Sequence, residues 1–240
     1  MIEIRSLQTS LDGVPVLRDV NLSVAKGRTL AILGTSGTGK SVLLKSIIGL
    51  IAADSGSIRI GGEEVIGMNP EDLYKLRRRI GYLFQGAALY DSMSVRGNLE
   101  FPLRRGALLD EDEIGGRVTE QLRLVGLEDA IDKMPSQLSG GMRKRIGLAR
   151  ALITRPEIML YDEPTTGLDP LTGREIGSLI QQLEERHEMT SIAVTHDMIF
   201  ARSITDRVAI LNKGVICFDG SLDAMEHSKD EFVKRFIAAA

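Results

Sequence analysis

The spacing of apolar residues changes period several times along the chain. From residue 1 to 30 apolar and polar positions alternate, through Ile2, Ile4 and Leu7 and then Val14, Val16, Val20, Leu22 and Val24. A period of two predicts short, half-buried strands joined as hairpins. Thr29–Leu33 (TLAIL) is a continuous apolar run that stops at Gly34, the pattern of a buried strand. Between Lys40 and Leu50 the apolar residues Val42, Leu43, Leu44, Ile47, Ile48 and Leu50 return at helical spacing. Ser57–Val65 predicts two short strands about Gly61-Gly62. Residues 70–79 predict a helix, and Gly81–Gln85 opens on a strand, GYLF. From 88 to 155 helical patterns dominate, with an acidic stretch at Asp110–Glu113 and loops expected at Gly115-Gly116 and Pro135. A short strand IMLY follows at 158–161, an amphipathic helix at Leu171–Arg186, and strands at Ile192–Thr195, Val208–Leu211 and Val215–Phe218. Residues 222–237 are helical again. No internal repeat, heptad or low-complexity linker is present. The expectation is one α/β domain over 1–240. Its body is formed by 1–87 and 156–220, interrupted by a helical insert at 88–155 and closed by a tail at 221–240.

Composition narrows the classes. Thirty Lys and Arg against 33 Asp and Glu leave a net charge of −3, which excludes a chain that works through a global basic field on nucleic acid. Hydrophobic residues at 43% exclude wholesale disorder. The single Cys217 can form neither an internal disulfide nor a structural zinc site. The longest uncharged runs, Thr29–Gly39 and Ile80–Tyr90, are eleven residues each, whereas a spanning helix needs about 20. The opening MIEIRSLQTS carries Glu3 and Arg5 and does not read as a signal peptide. A soluble, intracellular chain is expected, one that reaches a membrane only through a partner.

Three motifs carry chemistry. Gly34, Thr35, Ser36, Gly37, Thr38, Gly39, Lys40 and Ser41 fit G-x-x-x-x-G-K-[ST], between a predicted strand and a predicted helix that Val42 continues. Glycines let backbone N–H groups close on a phosphate chain, and the helix offers its positive end to the same anion. Lys40 is placed for the β- and γ-phosphates and Ser41 for Mg²⁺. Asp162 and Glu163 end the strand IMLY, suited respectively to holding Mg²⁺ through water and to polarising an attacking water. Two solvated acids at a strand end are the bland alternative. Leu138-Ser139-Gly140-Gly141-Met142 starts a helix with Ser139 as N-cap, either a second anion site or simply a helix start.

Together these motifs resemble the ATPases of the ABC transporter family. Leu138–Met142 resembles its LSGGQ signature, with Met142 in place of Gln, 23 residues before Asp162 counted from Ser139. Gln85 resembles its Q-loop, Thr166-Gly-Leu-Asp169 its D-loop, and His196 its switch histidine; the likeness runs from about residue 2 to 220. The resemblance implies a RecA-like P-loop core with an N-terminal antiparallel β-subdomain and a helical insert. It implies ATP and Mg²⁺ as cofactors, with Ser41, Gln85 and Asp162 at the metal. Glu163 would be the catalytic carboxylate, His196 a γ-phosphate contact, and Gln85 a third catalytic residue that senses Mg²⁺ and the transported-substrate machinery. Ser139, Gly140 and Gly141 would meet the nucleotide held by a second copy, so a homodimer is implied. An adenine-stacking aromatic is missing: its aligned position is Leu11, and Leu11 or Val16 is left to make an apolar contact.

Within the family, Phe84–Val95, Asn98, Pro102-Leu103 and Met134–Arg145 resemble the Mla/Mkl-type ATPases of Mce-associated lipid transport. That implies a membrane permease, an Mce-domain protein and a small regulatory protein as partners, and a place on the inner face of the plasma membrane. A nutrient importer or lipoprotein-release ATPase is the alternative, and a non-transport mechanochemical ABC ATPase the alternative of another class. Arg77–Arg79 and Arg143–Arg145 are read as solvated helix faces rather than as a nucleic-acid surface. Phe232, Val233, Phe236 and Ile237 share one helical face, either packed on their own domain or available to a second copy or a regulatory partner.

Overall fold

The structure is a computed structural model and describes residues 1–106, 109–205 and 207–239. Ala107 and Leu108 of the helical insert, Asp206, and Ala240 of the tail lie outside them. Ten strands line up in one sheet. In order across it they are β5 (Glu63–Glu64), β4 (Ser55–Ile60), β1 (Ile2–Leu11), β2 (Val14–Val24), β10 (Val215–Ser221), β9 (Arg207–Asn212), β3 (Thr29–Leu33), β8 (Thr190–Thr195), β7 (Ile158–Asp162) and β6 (Ile80–Leu83). The first four are antiparallel. The last five run parallel, and β10 joins the two halves, antiparallel to β9 and parallel to β2. The N-terminal alternation makes two long strands rather than several short ones, bent where the β1–β2 register shifts between Ile4 and Leu7.

The period of two along the parallel strands decides which layer each residue joins. On β7, Ile158 and Leu160 enter the core shared with β1, β2, β4 and helix α1 (Lys40–Ile47). Met159 and Tyr161 face the opposite layer, with α5 (Gly140–Leu152), α6 (Pro170–His187) and α7 (Met198–Ile204). Such runs are apolar throughout because both faces are covered. Among the described residues, the acid buried inside that second layer is Glu184. Its buried carboxylate accepts from Tyr161 Oη at 2.6 Å and Thr29 Oγ1 at 2.6 Å, which ties α6 to β7 and β3.

Helices α3 (Val95–Gly106), α4 (Glu111–Val125) and α5 enclose a separate core of Val95, Leu99, Leu103, Ile114, Val118, Leu122, Ile146 and Ile153. The loop expected at Gly115-Gly116 is instead inside α4. Asp110 and Glu113 form a reciprocal capping box at its start, and Ile114, Val118, Leu122 and Val125 are buried at helical spacing. That cap and stripe outweigh two glycines at about 1 kcal/mol each. The helix expected over 222–237 is two, α8 (Leu222–Glu226) and α9 (Glu231–Ala239), the second begun by Asp230 accepting from Phe232 N and Val233 N. Val233 and Phe236 are buried against Leu33, Ile210 and Met225 of the same chain.

The solvated-face expectation for the basic triplets holds for Arg78 and Arg143, which are exposed, and is corrected for the other four residues. Arg77 in α2 (Pro70–Arg77) and its next turn donates to the carbonyls of Ile48 and Gly49 at 2.9 and 2.8 Å, closing the end of α1. Arg79 pairs with Glu157 and Glu63, and Arg145 donates to Val125 O and Glu175. Lys144 is buried. These cations hold helix ends and neighbouring segments, which a charge count cannot show.

A Cβ added at Gly115 or Gly116 meets nothing within 4 Å. Gly115→Ala and Gly116→Ala are therefore expected to stabilise the protein by about 0.5–1 kcal/mol each, read from the urea unfolding midpoint. A lowered midpoint would show that these positions need glycine.

Candidate functional site

Parallel strands β3, β8 and β7 are neighbours, so the segments leaving their carboxyl ends converge. Gly34–Gly39 leaves β3, Asp162 ends β7 with Glu163 just after it, and His196 follows β8. Gly39 caps α1 with φ 100°, in the left-handed region, and α1 has no side-chain cap. A Cβ at Gly39 would lie 3.0 Å from Val16 Cγ1. The backbone N–H groups of that first turn are thus left to an anion. Thr35, Ser36 and Gly37 are exposed at the loop's outer edge, and Thr38 Oγ1 donates to Thr35 O at 2.9 Å.

The Lys40 ammonium donates to Gly34 O at 2.7 Å and Thr35 O at 3.1 Å, and pairs with Glu163 Oε1 at 3.0 Å. Both partners of that pair are buried. Glu163 Oε2 meets His196 Nδ1 at 2.8 Å and accepts from Thr166 Oγ1 at 2.9 Å. Glu163 itself has φ 49°, a left-handed conformation that a residue with a side chain adopts only under constraint. Its N–H donates to Val194 O at 3.0 Å. Beside it, Ser41 Oγ donates to Asp162 Oδ1 at 2.7 Å and Tyr82 Oη to Asp162 Oδ2 at 3.1 Å. Burial first, and then the Asp162 charge, push the Tyr82 phenol well above its ordinary range, so it remains a donor.

Gln85 is placed differently. Its side chain is exposed, and its backbone carbonyl accepts from the Lys144 ammonium, which also donates to Glu163 O at 2.9 Å. Burial pulls Lys144 down to about 8, against the opposing pull of Asp162 and Glu163. Ser139, Gly140 and Gly141 open α5, where Ser139 Oγ accepts from Met142 N at 3.2 Å. Cβ atoms built at Gly140 and Gly141 have Leu168 Cδ2 and Thr172 Cγ2 as their nearest neighbours. Asp169 caps α6 through Leu171 N and Thr172 N; the Thr172 hydroxyl first, and then these N–H donors, hold its carboxyl below the usual range. Leu11 lies exposed beside the Asp12-Gly13 turn, whereas Val16 sits against Gly39.

Two residues at this site escape a motif search. Tyr82 is a phenol within an apolar strand. Lys144 is a cation on the face of α5 that also buries Leu148 and Ala151, at i+4 and i+7. A charge on an apolar helical stripe is the signal that marks it.

Residues 17–166 match the family profile described as ABC transporter. The chain belongs to the ABC transporter ATPase family. This ABC ATPase is 40% identical, over 98% of its length and 68% of the relative's, to the probable ribonucleotide transport ATP-binding protein mkl of Mycobacterium leprae. It is 40% identical to the methionine import ATP-binding protein MetN 2 of Bacillus cereus, over 93% of its length and 66% of the relative's. It therefore spans about two thirds of the length of these relatives. The dimeric MJ0796 cassette bound to ADP and Pi superposes with a TM-score of 0.85 at 32% identity, over 92% of this chain and 99% of that one. The fold is that of an ABC ATPase, a RecA-like P-loop core with an antiparallel β-subdomain and a helical subdomain. The protein is an ATP hydrolase that uses ATP with Mg²⁺, the ATP-binding subunit of a transport system.

The donors present fit that metal. Among the described residues no group of three or more His, Cys, Asp or Glu forms a metal cage. Mg²⁺ keeps waters and takes one or two protein oxygens together with substrate phosphates, which Ser41 and Asp162 beside the glycine loop can supply. Tyr82→Phe removes the hydroxyl that orients Asp162. The Mg²⁺ concentration for half-maximal ATPase activity is expected to rise about tenfold, with little change in melting temperature. An unchanged Mg²⁺ titration would show that the phenol does not orient the carboxylate.

Proposed function

We propose that this chain works as a homodimer that hydrolyses ATP to drive a separate permease, moving phospholipid or another lipid across a bacterial envelope. The observation that carries the hydrolytic part is the cluster in which Lys40, His196 and Thr166 converge on the Glu163 carboxylate. Lys40 has three N–H donors, all engaged here, and a phosphate would take the place of Glu163 on one of them. Glu163 is then free to accept a proton from water, and His196 turns to the γ-phosphate. Gly34–Val42 binds the phosphates, while Ser41, Asp162 and Gln85 hold the metal. Mg²⁺, when bound, would supply charge neutralisation on the phosphoryl oxygens.

Ser139, Gly140 and Gly141 serve the nucleotide of the second copy. In support, they sit against the Leu168 and Thr172 region, next to which Leu171 and Ile199 expose apolar side chains. Exposed apolar side chains beside functional loops suit a face that a second copy covers. Residues 1–87 and 156–220 form the unit that holds nucleotide, and 88–155 the unit that turns during the cycle. A groove of about 750 Å³ beside Phe84, lined by Tyr74, Arg78, Leu103, Arg105 and Arg117, suits a cytoplasmic helix of the permease. No helix among the described residues is long and apolar enough to cross a membrane. In this reading the chain sits on the cytoplasmic face through the permease, with an Mce-domain protein and a small regulatory protein as further partners. The lipid assignment rests on Phe84–Val95, Asn98, Pro102-Leu103 and Met134–Arg145. The methionine importers among the relatives favour a nutrient importer as the second reading.

Glu163→Gln is expected to slow turnover by at least a hundredfold and to accumulate an ATP-bound dimer in size-exclusion chromatography with light scattering. Wild-type turnover would refute the role of Glu163. Purified from its membrane, the intact complex is expected to contain a permease, an Mce-domain protein and lipid. Recovery of a solute-binding protein with an importer permease would favour the second reading.

A further inference from the structure

Lys144 is 5% exposed, yet no carboxylate among the described residues pairs with it directly. Two of its donors go to backbone carbonyls on different segments, Gln85 O after β6 and Glu163 O after β7. Neither carbonyl needs a buried ammonium. Glu163 O already faces Thr166 N at 3.3 Å, and Gln85 is exposed to water. A buried cation is costly unless it does something an apolar residue cannot. What it does here is geometric. It comes from α5, the helix that Ser139-Gly140-Gly141 opens, and its ammonium fixes the backbone on the carbonyl side of Glu163. Val194 O fixes the N–H side. Together they hold a left-handed φ of 49° at the residue whose carboxylate meets Lys40 and His196.

We infer that Lys144 is a positioning residue: it joins α5 to the backbones of Gln85 and Glu163, and so sets where the Glu163 carboxylate stands according to how the helical subdomain is seated. Beside the packing of α5 on β7 and the hydrogen bonds of Arg150 to Ala87 O and Ala88 O, this side chain gives α5 a direct polar link to the backbone of Glu163 and to the segment that borders the proposed permease groove. The inference rests on the assignment of Glu163 as the hydrolytic carboxylate.

The test uses the full chain and compares Lys144→Met, which keeps the length but no donors, with Lys144→Gln, which keeps two N–H donors without the charge. ATPase kcat and KM are measured together with binding of a fluorescent non-hydrolysable ATP analogue and the melting temperature. Lys144→Met is expected to lower kcat at least tenfold, with KM and analogue affinity within about threefold of wild type. Lys144→Gln is expected to recover kcat to within about threefold. Lys144→Met at wild-type kcat would overturn the inference. So would a loss of analogue affinity in proportion to kcat, which marks a merely structural role, or a Gln variant as impaired as Met. If Lys144→Met is not recovered folded, Lys144→Gln decides: kcat within threefold supports the inference, and a tenfold loss at unchanged melting temperature contradicts it. Turnover of Glu163→Gln is measured in parallel. If that variant is inactive while Lys144→Met is normal, the Lys144 inference alone fails. If Glu163→Gln is active, the underlying assignment fails.

Discussion

The buried ion pair between Lys40 and Glu163 is the contact on which the site depends. It joins the loop after β3 to the end of β7 across the intervening strand β8, with Nζ and Oε1 3.0 Å apart and both side chains buried. Removing one partner of such a pair leaves an uncompensated charge inside the protein, at a cost of about 3–5 kcal/mol. Each partner is held from other directions as well, Lys40 by two carbonyls of its own loop and Glu163 by His196 and Thr166. The pair is therefore stable as it stands and open to exchange, since a phosphate offers Lys40 an equivalent anionic partner.

The rest of the fold makes that contact possible. Parallel pairing of β3, β8 and β7 brings three segment ends to one edge of the sheet, and apolar residues on both faces keep the strands rigid. The antiparallel strands supply Val16 against Gly39. Helices α3 and α4 enclose a core of their own with one face of α5, while the other face of α5 packs beneath β7 and Lys144 reaches the strand ends from it.

Much of this was legible in the sequence. Gly34–Ser41, Asp162 and Glu163 declare themselves because phosphate and metal chemistry needs those residue types at that spacing after a strand. The layers of the sheet follow from runs such as TLAIL and IMLY. What was not legible depended on neighbours distant along the chain. Gly115 and Gly116 read as a loop because glycine disfavours helix, but the Asp110–Glu113 capping box and the buried stripe of α4 outweigh them. The basic triplets read as solvent-facing because charge usually is, yet Arg77 closes α1, which lies about thirty residues earlier. Tyr82 and Lys144 belong to no motif; only the convergence of β6, β7 and α5 gives them partners.

Thermal unfolding of wild type and Glu163→Gln, each with and without MgATP, tests the central pair most directly. Without nucleotide, Glu163→Gln should melt several degrees below wild type, at about 2–4 °C per kcal/mol lost for a chain of this size, because the Lys40 ammonium loses its counter-charge. MgATP should close that gap by giving Lys40 a phosphate in exchange. Equal melting temperatures without nucleotide, or a gap that MgATP leaves unchanged, would contradict the account.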